Sequence, residues 1–281
     1  MKLPVPDNYK KYMIIPLILL LLSIGFLGFK TTTSGLDLSI DLRGGTQITI
    51  ELEEKTTITE IESHLSEFDA NIRSSDSFTG QTITIETTQA DNAAQIIQIM
   101  EQNYKVKGTS QQTVGPALGK SFFSQSQIAL LAAFIVMAIT VFMIFKVFMP
   151  SVYVVFAGFA DIVEALAISQ LLGIKLSLAT FAALLLLLGY SVDTDVLLTT
   201  RILKSRGNLK DKIRKAMTTG LTMTITTLAA LTVMWLVVGN GVIKEITSIL
   251  IIGLLCDALN TWIMNISLLR MYVEKHPEKV R

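Results

Sequence analysis

Five carboxylates lie inside apolar stretches of this chain: Asp161 and Glu164, then Asp193 and Asp195, then Asp257. In a soluble core such residues would be rare, and in a membrane they are rarer still. A charge at mid-membrane costs about 2.5–3.5 kcal/mol on insertion scales. No Lys or Arg stands in the middle of any of these stretches; Lys146, Lys175, Arg201 and Lys244 are at their ends. The acids are therefore expected to be protonated, hydrated or paired with another subunit. Groups that exchange protons at a buried site are the chemistry this pattern points to.

Helical spacing sorts the five. Asp161 and Glu164 are three apart and share a face. Asp193 and Asp195 are two apart, about 200° round the helix, so they face different partners. Asp195 shares a stripe with Ser191 and Thr199, and Asp193 with Tyr190 and Thr200. Asp257 shares one with Asn260 and Thr261. The stretch from Met217 adds Thr218, Thr219, Thr222, Thr224, Thr226, Thr227 and Thr232. Two readings stand beside each other: ion coupling by the acids, or hydroxyls and acids joining helices by hydrogen bonds. The threonines fit the second. Asp193 and Asp195 fit the first, and spacing does not choose between them. Asp161, Glu164 and Asp257 fit either reading, or a solvated position near the membrane surface.

The elements that must hold these residues are membrane spans. The chain has 281 residues, 51% of them hydrophobic, with mean hydropathy +0.54. Few soluble domains of this length are so apolar. Apolar stretches run over 12–29, 128–145, 152–172, 176–203, 217–238 and 246–269. Each is near the roughly 20 residues that cross a bilayer core of about 30 Å. Backbone groups in lipid must bond within the segment, so six helices are expected. Pro150 marks a tight turn between the second and third. The first stretch follows Lys2, Lys10 and Lys11 without a small-residue cleavage site, and reads as a retained span rather than a removed signal.

Lys and Arg set the orientation. With the N-terminus in the cytoplasm, the inside segments hold Lys2, Lys10, Lys11, Lys146, the run from Arg201 to Lys215, and Arg270, Lys275, Lys279 and Arg281. The two short outside loops hold Lys175 and Lys244 alone. The expectation is a multi-pass cell-membrane protein with both termini cytoplasmic and residues 30–123 outside. The segments are 1–29, 30–123, 124–272 and a tail at 273–281. The Arg201–Lys215 run reads as a loop touching anionic headgroups of membrane lipid. Net charge is +1, which gives no sign of a nucleic-acid partner.

The outside segment alternates polar and apolar residues at 46–52 and 81–87. Ile58, Ile61, Leu65 and Phe68 follow helical spacing, with Glu60 placed to close a capping box on Thr57. A strand at 71–76, a turn at 78–81, a helix at 90–101 and a strand at 104–114 complete a β-α-β-β-α-β order, the ferredoxin-like pattern. Gly44 and Gly45 precede the first strand; Gly115 and Pro116 follow the last. The Gly pair leads into a strand, so it reads as a bend and not a phosphate cradle. His64 and His276 lie apart in polar segments and Cys256 stands alone, so no metal set is expected. There is no nucleotide-binding loop or catalytic triad, so neither a cofactor nor an enzymatic activity is expected.

These residues resemble a known family. Gly189-Tyr190-Ser191-Val192, followed by acids and then Arg201-Ile202, is similar to the fourth-span motif of the SecF branch of the SecD/SecF protein-export family. Asp161, the run Leu178–Ala183, Arg43-Gly44-Gly45-Thr46 and Val114-Gly115-Pro116 fit as well. Asp41 to Gly45 reads like the SecD branch, but the 94-residue outside segment is too short for it. Bacterial members have Asn-Asp where Asp193 and Thr194 stand, and an arginine early in the fifth span where threonines stand here. A bacterial-type proton relay is therefore not carried over, and an archaeal-type member is implied.

The resemblance implies a membrane all-α six-helix bundle, half of an RND-type transporter, with an inserted extracytoplasmic α+β ferredoxin-like domain. It implies SecD, the Sec translocation channel and a translocating polypeptide as partners, and outward export helped by an ion gradient. An exposed sheet edge offers β-augmentation for holding an extended chain. Two rivals are carried: a structural partner that stabilises SecD and the channel without ion coupling, and a small-molecule or lipid efflux half.

Overall fold

The computed structural model describes residues 9–276 except 69, 78, 79, 88–91, 239 and 240. Lys2, Lys279 and Arg281, the centre of the 78–81 turn and the first two residues of the 90–101 helix lie outside the described residues. The elements in chain order are α1 (Tyr9–Tyr12), α2 (Ile14–Thr33), α3 (Ile40–Arg43), β1 (Gly45–Leu52), α4 (Ile58–His64), β2 (Ala70–Ser77), β3 (Gly80–Thr87), α5 (Asn92–Asn103), β4 (Val106–Val114), α6 (Pro116–Phe145), α7 (Phe148–Leu171), α8 (Leu178–Lys204), α9 (Leu209–Val237) and α10 (Val242–Leu259), then a π-helical turn (Asn260–Asn265) and α11 (Ile266–Lys275).

Five helices are long and apolar enough to cross a membrane: Tyr9–Thr33, Pro116–Phe145, Phe148–Leu171, Leu178–Lys204 and Leu209–Val237. Their outer faces expose Leu21, Leu22, Leu131, Met143, Leu186 and Ile225, as helices solvated by lipid do. The sixth apolar stretch is divided differently. α10 carries Lys244, Glu245 and Asp257 within 18 residues, and the π turn and α11 continue it.

α7, α8 and α10 form the inside of the bundle. Val154, Leu184, Leu187 and Leu254 are buried among them. Gly253 lets α10 approach α8, since a Cβ there would stand 2.2 Å from Leu187 Cδ2. Helix starts are chemically marked. Ser177 Oγ accepts from the Thr180 N–H at 3.1 Å, and Thr180 Oγ1 accepts from the Ser177 N–H at 2.6 Å, closing a reciprocal box on α8. Pro116 opens α6, where its missing N–H is harmless. The reversal between α6 and α7 is made by Lys146 in the left-handed region (φ 56°) and not by Pro150. Pro150 lies within the first turn of α7, where a proline is tolerated.

The four strands form one antiparallel sheet in the order β2-β3-β1-β4. Ile48, Ile50, Ile83 and Ile85 point to one face and pack on Ile61 and Leu65 and on Ala93, Ile96 and Met100. α4 is shorter than its spacing predicts. Thr57 caps it by backbone geometry, but no side-chain cap forms, so the expected box with Glu60 is absent. Leu65 and Phe68 follow the helix in a turn and still reach the core. Burial, not helical continuity, sets their spacing.

The Gly pair marks where domain and bundle join. Gly44 and Gly45 have φ of 85° and 135°. A Cβ on Gly44 would stand 2.7 Å from Pro116 Cα, and one on Gly119 would stand 2.6 Å from the Gly44 nitrogen. So α3 lies backbone to backbone against the start of α6. Gly119→Ala is expected to force these segments apart at a cost of about 1–3 kcal/mol. Thermal unfolding of the purified protein in detergent checks this: the variant should melt lower, whereas Gly189→Ala, with open space around it, should not.

Candidate functional site

Four of the five acids meet at one place inside the bundle. α7 supplies Asp161 and Glu164, α8 supplies Asp195, and α10 supplies Asp257. All four are fully buried. Their described partners are neutral. Ser191 donates its hydroxyl to Asp161 Oδ2 in a short contact. Asn260 Nδ2 donates to Asp161 Oδ1 at 2.8 Å and to Glu164 Oε2 at 2.9 Å. Thr194 Oγ1 lies 3.2 and 3.3 Å from the two oxygens of Asp257. Thr261 Oγ1 lies 2.9 Å from Asp195 Oδ1 and 3.0 Å from Asp257 Oδ1. Asn265 Nδ2 donates to Asp195 Oδ1 at 2.6 Å.

Donors are outnumbered here. The Thr261 hydroxyl has one hydrogen for two carboxylates, and the Thr194 hydroxyl divides its own between Asp257 and the Ser191 carbonyl. Glu164 Oε1, Asp195 Oδ2, Asn260 Oδ1 and Asn265 Oδ1 are buried without a partner among the described residues. A carboxyl that carries a proton turns an acceptor into a donor, which is what this oxygen-rich set calls for. Such a cluster can take up and release protons as a unit.

Asp193 is elsewhere. It is exposed on the outer side of α8, with Tyr190 and Thr200 half-buried beside it. The two-residue spacing thus sends Asp195 to the cluster and Asp193 to the bundle surface. Thr199 is buried, with its hydroxyl unpartnered among the described residues. Thr218, Thr219, Thr222 and Thr226 are exposed and donate to carbonyls of their own helix three or four residues back. Two site residues were missed by sequence reasoning. Thr194 stands between the two aspartates and carried no stripe of its own. Asn265 is five residues from Asn260, a spacing that α-helical periodicity puts about 140° away.

Residues 95–275 match the family described as protein export membrane protein SecD/SecF, C-terminal. Residues 31–56 match the SecD/SecF GG motif. The chain belongs to the SecD/SecF family. It is 41% identical over 271 residues to the protein-export membrane protein SecF of Methanolacinia petrolearia, covering 95% of this chain and 94% of that one. It is 37% identical to SecF of Methanocaldococcus jannaschii, covering 97% and 98%. The crystal structure of SecDF, a translocon-associated membrane protein, from Thermus thermophilus superposes with TM-score 0.79 at 19% identity, covering 97% of this chain. This chain spans only 39% of that one. A second SecDF structure, in a super-membrane-facing form, gives 0.64 at 17% identity, covering 99% of this chain and 40% of that one.

Within the SecD/SecF family match, the C-terminal region takes in every acid of the cluster, and the GG-motif region takes in Gly44, Gly45 and Glu51. A second group of charges joins the sheet to the bundle. Glu86 on β3 is buried between Arg43, at 2.9 Å, and Lys175, at 2.8 Å. Lys175 sits in the loop between α7 and α8 and lies 3.3 Å from Asn71 Oδ1. Lys244 Nζ donates to Ser75 Oγ at 3.1 Å. Burial pushes the Lys175 ammonium down from its ordinary range, and Glu86 pulls it back up. The polar face of the sheet and the ends of these helices enclose a cavity of about 430 Å³, lined by Arg73, Glu86, Trp235, Lys244 and Glu245 among others.

Lys175 is the buried one of the two cations on Glu86, and its removal leaves that carboxylate to the half-exposed Arg43 alone. Lys175→Met is therefore expected to loosen the sheet from the bundle while the sheet itself stays folded. Limited proteolysis of membrane vesicles should then cut between residues 30 and 45 faster than in wild type. Equal cutting rates would show that the pair does not seat the domain.

Proposed function

We propose that this chain is a SecF-type subunit that assists outward export of proteins by coupling to a proton gradient. The observation that carries the proposal is the cluster of four buried carboxyls from three helices, held among the described residues by neutral donors only. Full charge on all four would cost about 2.5–3.5 kcal/mol each, so the number of protons in the cluster is the natural variable of this site. α7 and α8 run from the cluster to the loop that holds Lys175, and Lys175 holds Glu86 of the sheet. A change of protonation that shifts α7 against α8 therefore has a mechanical route to the domain.

In this reading α10, the π turn and α11 together make a sixth span, both termini are cytoplasmic, and residues 30–123 are extracytoplasmic. The β-α-β-β-α-β order with β1 and β3 central supports a ferredoxin-like domain. Its β4 edge is exposed from Lys107 to Thr113 and offers backbone groups to an emerging polypeptide. SecD is the partner within the membrane and the Sec channel its neighbour; the domain contacts the translocating polypeptide. No enzymatic step, cofactor or metal is invoked. One observation also favours a structural contribution: Asp193 is exposed at mid-helix beside the open surface of Gly189, a position that calls for a polar partner from another subunit.

Export into inverted membrane vesicles, with and without a pH gradient, tests this. Asp195→Asn and Asp161→Asn are expected to remove the gradient-stimulated part of export and leave co-purification with SecD intact. Asp193→Asn is expected to weaken that co-purification. Wild-type gradient stimulation in both cluster variants would sink proton coupling and leave the structural role.

A further inference from the structure

The segment Asn260–Asn265 is a π-helical turn between two α-helices. The Ile266 N–H reaches the Thr261 carbonyl, an i→i+5 bond. Such a turn inserts one extra residue and stacks residues five apart. In an unbroken α-helix Asn260 and Asn265 would point about 140° apart. Here both side chains face the acids, together with Thr261 between them. Among the described residues no other segment contacts all four acids: Asn260 holds Asp161 and Glu164, Thr261 bridges Asp195 and Asp257, and Asn265 holds Asp195.

The turn is braced from outside the cluster. Trp262 lies against Gly220 of α9, where a Cβ would stand 2.2 Å from its ring. Ser267 Oγ donates to the Ile263 carbonyl at 2.6 Å and lies 3.2 Å from the Tyr9 carbonyl. A π turn is less favourable than α-helix and persists where surroundings hold it, often at functional sites.

We propose that the π turn is the positioning element of the acid cluster, with Asn260 fixing the pair on α7 and Asn265 fixing Asp195 on α8. This rests on the reading that the cluster carries the coupling protons. Asn260 and Asn265 do not exchange protons themselves; they set where the carboxyls sit and how their charge is met.

The test uses the full chain co-expressed with SecD, reading gradient-driven export in inverted vesicles across a series of pH values. A hydrogen bond to a charged group is worth enough that Asn265→Ala should lower gradient-driven export about tenfold. The pH of half-maximal export should move by about one unit. The exchange Asn265→Asp with Asp195→Asn keeps one amide and one carboxyl at the same contact with little change of volume, and should recover at least half of the lost rate. Wild-type rate and pH profile in Asn265→Ala and Asn260→Ala, with Asp195→Asn inactive, would overturn the positioning role and leave proton coupling standing. An inactive exchange pair that accumulates with SecD at wild-type level would also overturn it. Wild-type export in Asp195→Asn would instead remove the coupling reading on which the inference rests.

Discussion

A carboxylate inside a membrane must find either a donor or a proton, and the bundle is arranged around that requirement. Three helices bring acids to one point, and α8 and the π turn bring the hydroxyls and amides that meet them. Those donors are hydroxyls and amides, which moderate negative charge without cancelling it. An Arg or Lys at the centre would fix the acids in their ionised form. Neutral donors leave the charge of the cluster free to change, and a group whose charge can change is what coupling to an ion gradient demands.

The depth of the cluster follows from helix geometry. Asp161 lies ten residues before the end of α7 at Leu171, and Ser191, which donates to it, lies thirteen residues after the start of α8 at Leu178. At 1.5 Å per residue these are about 15 and 20 Å, close to the middle of a core of about 30 Å. These ends of both helices converge on one short loop, residues 172–177, which carries Lys175. The sheet therefore rests on the piece of backbone nearest to two of the acid-bearing helices. Backbone packing of Gly44 and Gly119 provides a second, uncharged attachment. A pivot without charge and a latch with charge would let the domain tilt about the first when the second is loosened.

Much of this was legible in the sequence because lipid imposes simple rules. Apolar length predicts the long helices, alternation predicts the strands, and a two-residue spacing sends Asp193 and Asp195 to opposite sides. What failed were features that depend on tertiary context. The capping box at Thr57 is written in the sequence but not formed, because α4 is short and its core residues are held by the sheet. The Pro150 turn fell to Lys146, since a proline within a first helical turn breaks nothing. Glu86 and Lys175 are 89 residues apart, and no local pattern joins them. Asn265 escaped for a different reason: periodicity analysis assumes 3.6 residues per turn, and the π turn breaks that period at the residues that matter.

That break also decides how the acids on α7 and α8 are met. An α-helical sixth stretch would present Asp257, Thr261 and Asn260 on roughly one face, and the next polar residue, Asn265, would turn toward the bundle surface. Asp195 would then depend on Thr261 alone, whose single hydrogen also serves Asp257. One inserted residue gives α7 and α8 an amide each: Asn260 for α7 and Asn265 for α8. The two helices are thereby held through one rigid segment that is anchored on α9 by Trp262. Under the proposed coupling, movement of either helix on a change of charge would work against this segment. In the proposed coupling the π turn would be the fixed reference from which α7 and α8 shift, and the domain seated on their shared loop the part placed to move.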